Sequence, residues 1–568
     1  MTLFHQKKQK IFKFSNMKNI VKYLKKIAII ITLLCSFVFF VSFDDKVDFE
    51  IVKNLDIYYS LFRELNVYYV DQINPSELIK KSIDAMLSSL DPYTVYIPES
   101  QIEDYRLMTT GQYGGIGALI QQRNNEIMIS EVYEGFPAQK SGLTPGDVIL
   151  EIDSKSLKNK RVDEVSEILK GQPKTTISIK VKKAVTNKII DIQVERQEIK
   201  ISNIPYYGII EDSIGYIYLS NFTENAYIEF SKALNDLKNQ GIKQLIIDVR
   251  NNPGGLLNEV VQIVSLFVPK GTLIVSTKGR LKEWDKDYRS IIQPVDTKIP
   301  IAVLVNNNSA SASEILAGAM QDLERGVIIG ERTFGKGLVQ TTRDLSYNAK
   351  LKVTTAKYYT PSGRCIQAID YFHKDKDGKA KTIPDSLKKP FKTSKGRIVY
   401  DGLGIEPDIK IEPETLSPLS QALINNFIIF DYANKFYSEH PSIQGINNVF
   451  INEAIYQDFI KFAMNYKFDY KTASEEALEE LVSSLKKDKY YDITKTQIEQ
   501  LENQIAHNKE MDFKLFEKEI KELLFEEIVS RYYYQKGRIL AMIKDDPAVI
   551  KAKEILKDEN KYNKILKP

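Results

Sequence analysis

The sequence predicts an α/β layered core set within a chain of several domains, and three observations carry that expectation. Near-continuous apolar segments, Leu245 to Val249 and Ile301 to Val305, alternate with helical patterns between about Gln197 and Asp408, as strands buried on both faces of a helix-covered sheet require. A preceding stretch, 99 to about 196, switches to short alternating strands such as ISIKVKK and IIDIQVERQ punctuated by glycine. The 568 residues also exceed what one hydrophobic core organises. A composition of 43% hydrophobic and 27% charged residues with a net charge of +4 is that of an ordinary globular protein and excludes a basic nucleic-acid surface.

The elements follow in order. Residues 1–43 hold eight lysines and no acid, and end in the apolar run Ile27 to Phe43, closed by Asp44 and Asp45. That is a signal peptide or an uncleaved signal anchor; few small residues precede a cleavage point, which favours the anchor, with the body exported to the periplasmic side of the inner membrane. Met17, followed by Lys18, would also serve as a start. The only cysteines are Cys35, inside this run, and Cys365, so an exported body has no internal disulfide and no cysteine zinc site. From 44 to 98 the spacing of Val52, Leu55, Tyr59, Phe62 and Leu65 predicts helix, with Pro75 opening a second one and Asp91-Pro92 a turn.

In the 99–196 stretch, GQYGGIGALI sets Gly114, Gly115, Ile116 and Gly117 before a strand, and GFPAQKSGLTPGDVILEIDSKSL turns at Gly142, Pro145 and Gly146 into another. The first segment admits two readings, a glycine-rich hairpin or a nest of amides that meets a peptide carboxylate beside a free strand edge. The two segments together resemble a PDZ domain, whose carboxylate site corresponds to Gly114–Gly117. After the core, 197–414, in which 369–400 is a lysine-rich insertion or flap, residues 415–568 read as a helical region from the periodic Leu478, Leu481, Leu485, Leu523, Leu524 and Ile528.

The chemistry concentrates at NNNSASASEILAGAMQD, where serines sit between a buried strand and an apolar helix. Ser311 to Glu314 fits a capping box, and equally Ser311 stands where helix amides stabilise an oxyanion. Three features weigh toward chemistry. DVRNNPGGLL ends another strand in glycines able to present amides; Lys336 lies between Gly335 and Gly337 in an apolar setting that lowers a lysine pKa; and His5, His373, His440 and His507 are placed too poorly for a Ser-His-Asp triad.

SASASEILAGAMQD, GERTFGKGLVQ, DVRNNPGG, LDPYTVY, GGIGA with PAQKSGLTPGD, and YYTPSGR followed by GLGIEPDI together closely resemble the C-terminal processing, or tail-specific, peptidases over about residues 50–410. The resemblance implies an α/β crotonase- or ClpP-like protease core with an inserted PDZ domain, an N-terminal helical segment and a helical C-terminal extension. It implies Ser311 as nucleophile, Lys336 as general base, Gln340 as the residue orienting the lysine amine, and the amides of Gly255 and Ala312 as oxyanion hole. The implied partners are protein or peptide substrates with free C-termini, bound at Gly114, Gly115, Ile116 and Gly117. No metal or organic cofactor is required, no nucleic acid is expected, and a homo-oligomer is compatible with the family. One departure concerns ILKGQPKTT, where Lys170 and Lys174 stand in place of the family's usual arginine and second glycine. The main alternative is an inactive PDZ scaffold or chaperone of the cell envelope. Ser386 to Lys389 matches the Ser-x-x-Lys of penicillin-binding acyltransferases without its companion motifs.

Overall fold

The structure, a computed structural model, describes residues 45–375, 379–443, 445–446 and 450–566. The apolar run 27–43 and Cys35 lie outside the described residues, and among those described no helix is long and apolar enough to cross a membrane. The chain divides into two compact units at residues 86 and 87. In the described part of the first unit, helix Asp45–Tyr68 meets the start of helix Pro75–Ser88 through a Tyr58 hydroxyl to Ser82 hydroxyl bond of 2.6 Å.

The second unit is built on the expected buried strands. Tyr206–Glu211, Ile214–Tyr218, Gln244–Asp248, Ile301–Val305, Val327–Gly330 and Ile409–Lys410 form one six-stranded sheet, antiparallel at the first pair and parallel thereafter. Helices Ala226–Asn239, Leu257–Ser265 and Ala312–Asp322 cover one face, burying Phe230, Leu234, Val260, Val264, Leu316 and Met320. The other face, carrying Tyr216, Ile246, Leu304 and Ile329, is closed by helices Pro547–Lys557 and Glu559–Leu566. The end of the helical region therefore completes the α/β core, with the Tyr562 hydroxyl accepting from the Ile301 amide at 3.0 Å. A second, five-stranded sheet holds Val95–Ile97, Leu273–Gly279, Lys286–Arg289, Leu338–Asp344 and Lys350–Tyr359.

The inserted module is a sheet of strands between Ala118 and Glu195 closed by helix Val162–Leu169, around Ile127, Ile129, Val165 and Ile179. Gly142 and Gly146 take positive φ at its turn into strand Val148–Ile152, as expected. The helical region docks on this module: Arg123 forms a bidentate pair with Asp431 at 2.8 Å for both bonds and stacks on Phe427, and Tyr534, at the kink of helix Glu517–Ile543, receives the Gln139 amide at 2.5 Å. The charged 369–400 stretch forms two short ribbons and is stitched to the core, Arg397 pairing with the buried carboxylates of Glu324 and Asp408.

Candidate active site

Ser311 occupies the bend between strand Ile301–Val305 and helix Ala312–Asp322 with φ 56° and ψ −111°, a conformation strained for a residue with a side chain. The surroundings hold it there. Ser309 Oγ donates to the Val249 carbonyl at 2.8 Å, Ser313 Oγ to the Asn252 carbonyl at 2.9 Å, and the Ala310 amide to that same carbonyl at 3.0 Å. The flanking serines thus staple the bend just beyond the end of strand Gln244–Asp248, and the middle one lines the cavity. Ser311 Oγ faces the Glu314 amide in the manner of a capping box without closing a cap hydrogen bond, whereas the Glu314 carboxylate does accept from the Ser311 amide, at 2.9 Å. The two readings of this serine are therefore compatible, because the cap is carried by Glu314.

The turn at 253–255 comes against this bend. Gly254 has φ +100°, and a Cβ there would stand 2.8 Å from both the Ala312 nitrogen and the Ser311 Cβ; at Gly255 one would stand 2.3 Å from the Phe222 carbonyl oxygen. Only glycine allows that approach. The amides of Gly255 and Ala312 have no hydrogen-bond acceptor among the described residues, and both residues line one cavity of about 760 Å³ with Ser311, Lys336 and Gln340.

Lys336 is delivered by a glycine turn that Glu314 also grips. The fully buried Glu314 carboxylate accepts from the Gly335 amide at 2.7 Å, the Lys336 amide at 2.8 Å and the Thr333 hydroxyl at 2.6 Å, besides the Ser311 amide. Burial pushes this carboxyl up to about 7, against the opposing pull of its four donors. The Lys336 amine lies 4.3 Å from the centre of the Tyr93 ring, whose hydroxyl meets that of Tyr371 at 3.2 Å. Burial first, then the charge of Lys352, brings Lys336 down to about 8, despite a smaller upward pull from Glu314 and Asp91. An amine with that pKa is partly neutral near pH 7 and can accept a proton.

Gln340 enters the same cavity, but its amide donates to Thr354 Oγ1 at 3.2 Å, and among the described residues it makes no bond to the lysine amine. In the inserted module, the Gly114 amide is given to Glu103 at 2.9 Å and the Gly117 backbone meets the Tyr113 hydroxyl, so part of the glycine loop is already engaged within the chain. Lys170 pairs with Asp104 on helix Ile102–Thr110, and Tyr105, Leu107 and Met108 of that helix line the cavity. His373, His440 and His507 are not among the cavity residues. Sequence reasoning took Glu314 only as a cap partner; the signal for more was its place three residues after Ser311. Tyr93 lay within the motif LDPYTVY but had no assigned task, and Lys352 carried no local signal at all.

These features define a serine-type peptidase with a PDZ module, and the sequence comparisons give the same class. The chain matches Peptidase family S41 over residues 213–373, a PDZ domain over 128–183, and a probable PDZ-protease C-terminal helical domain over 419–556. It is 36% identical to the carboxy-terminal-processing protease of Bartonella bacilliformis across 56% of this chain and 73% of that one. It is 31% identical to a probable CtpA-like serine protease of Staphylococcus aureus across 70% of this chain and 80% of that one. Among solved structures, a photosystem II D1 C-terminal processing protease is 28% identical, covering 63% of this chain and 88% of that chain with a TM-score of 0.35. The chain belongs to the carboxy-terminal processing peptidase family, whose serine proteases carry a PDZ domain.

Proposed function

We propose that this protein is an exported serine endopeptidase that captures protein C-termini on its PDZ domain and cleaves near the tail through a Ser311–Lys336 pair. The observation that carries the reading is a single cavity lined by a strained, uncapped serine, a lysine lowered to about 8, and the residues of two acceptor-free amides. The neutral Lys336 amine removes the proton of Ser311 Oγ, and the oxygen attacks the scissile carbonyl while the Gly255 and Ala312 amides hold the oxyanion. The ammonium protonates the leaving amine; the same lysine then activates the water that releases the acyl group. The Tyr93 ring favours the ammonium that forms when the lysine takes the proton. Gln340, which lines the same cavity, orients the amine. The parallel sheet and its helix cover support a crotonase- or ClpP-like core. A free carboxylate is received at the Gly114–Gly117 loop by displacing the Glu103 carboxylate from the Gly114 amide, and the basic, apolar 1–43 segment supports a body outside the inner membrane, anchored or cleaved.

The test is cleavage of an unfolded protein with an apolar C-terminus by the purified soluble part. Ser311→Ala and Lys336→Ala each lose on the order of 10⁴-fold or more in kcat/KM while remaining folded. Undiminished cleavage by Ser311→Ala ends the assignment, and an inactive wild type favours the scaffold alternative. Protease added to intact spheroplasts digests the body; digestion only after lysis contradicts export.

A further inference from the structure

The cavity that contains Ser311 holds a second lysine that this mechanism does not use. Lys352 lies on strand Lys350–Tyr359, opposite Thr342 on one side and Val95 on the other, two residues from the Thr354 that holds Gln340. Alternation along a strand puts residues 352 and 354 on the same face, the one that lines the cavity. The Lys352 amine is 3.6 Å from Met108 Sδ, a weak acceptor, and among the described residues it forms no ion pair. The next lysine on that face, Lys350, is matched by Asp344 at 2.5 Å. The contrast extends to the whole chamber. Its lining is largely apolar, with Leu107, Leu256, Ile315 and Leu338, and includes Lys336 and Lys352 but no aspartate or glutamate. Half-buried Lys352 is a cation taken partly out of water with no paired counter-charge among the described residues, an arrangement that costs free energy until an anion arrives. Burial accordingly lowers its pKa.

We propose that Lys352 is a specificity-determining residue that binds a substrate carboxylate inside the catalytic cavity. That carboxylate is either the free C-terminus of the tail being removed or an acidic side chain near the scissile bond. The proposal rests on the serine-lysine reading above and deepens it. The half-buried position makes the contact stronger than a surface ion pair, and the apolar walls carry the rest of the tail.

The test is a comparison of wild type, Lys352→Met and Lys352→Arg on four versions of one peptide: glutamate or glutamine in the tail, each with a free-acid or an amidated end. Wild type loses about tenfold in kcat/KM, mostly through KM, when the recognised carboxylate is removed. Lys352→Met loses about tenfold less than wild type on that change, and Lys352→Arg restores the preference. The glutamate–glutamine arm identifies a side chain and the acid–amide arm a terminus. Capture of the terminus by the PDZ loop is common to all three enzymes and cancels in the comparison. An equal loss in wild type and Lys352→Met in both arms, or no loss in wild type, overturns the proposal. Should Lys352→Met be inactive on every peptide, calorimetric binding of the four peptides to Ser311→Ala and to Ser311→Ala/Lys352→Met makes the same comparison without turnover. Cleavage by Ser311→Ala would overturn the nucleophile assignment and leave that binding comparison standing, so the two failures are distinguishable.

Discussion

Glu314 joins the proposed nucleophile to the proposed base, since one buried carboxylate holds the backbone of Ser311 and the backbone of Lys336. Removing it leaves four donors without an acceptor in a buried place, and Glu314→Ala is expected to cost about 3–5 kcal/mol in stability, read from denaturant unfolding, together with nearly all activity. Its titration and that of Lys336 act on the same side of neutrality. In the proposed mechanism the lysine works unprotonated, and with its pKa lowered to about 8 the expected kcat/KM falls about tenfold per pH unit below that value. Glu314, raised to about 7, must be ionised to accept from all four donors, so the fall steepens below pH 7 toward a hundredfold per unit. As an acid whose folded pKa is raised, it also contributes stability at low pH that is lost as pH rises through 7. A profile flat from pH 6 to 9 would contradict both assignments. That Ser311 and Lys336 belong together was legible from sequence, because each sits in a short motif with a chemical rationale, and the structure brings both to one cavity. Their common support was not, because Glu314 reaches Lys336 only after the chain has passed through another buried strand.

The bend before helix Ala312–Asp322 is an element in which glycine contact and serine stapling fix one strained residue. Gly254→Ala would drive a Cβ into the Ser311 turn at a φ of +100°, and is expected to abolish cleavage while the rest of the fold survives, as circular dichroism would register. Ser309→Ala and Ser313→Ala each remove one buried bond to the 249–252 backbone, with an expected loss of about 1–2 kcal/mol in unfolding free energy and reduced but measurable turnover. Loss of all activity in Ser309→Ala at full stability would mean that the wrong serine has been assigned. The strand, helix and turn were readable from apolar runs and glycine placement. The approach of two distant turns depends on sheet register, which neighbouring residues do not encode.

At the scale of the molecule, the C-terminal helices tie the other parts together. They close the back of the core sheet and grip the PDZ module through Arg123, Asp431, Gln139 and Tyr534. Deleting residues 545–568 should expose Tyr216, Ile246, Leu304 and Ile329 and leave an aggregating protein. Asp431→Ala should keep the core intact while amide exchange quickens in strand Ala118–Arg123; unchanged exchange there would show that this grip is incidental. Helical content after residue 413 was legible from its periodicity, but the surface each helix covers was not, since periodicity marks an apolar stripe and leaves its partner unnamed. The proposed function rests on covalent catalysis by Ser311 with Lys336 as base. It is tested most directly by acid-quenching the enzyme during turnover of an activated peptide ester and mapping the modified peptide by mass. An acyl group is expected on Ser311 in wild type and none on that residue in Lys336→Ala. Continued turnover with the acyl group on another residue, or with Ser311 never modified, would contradict it.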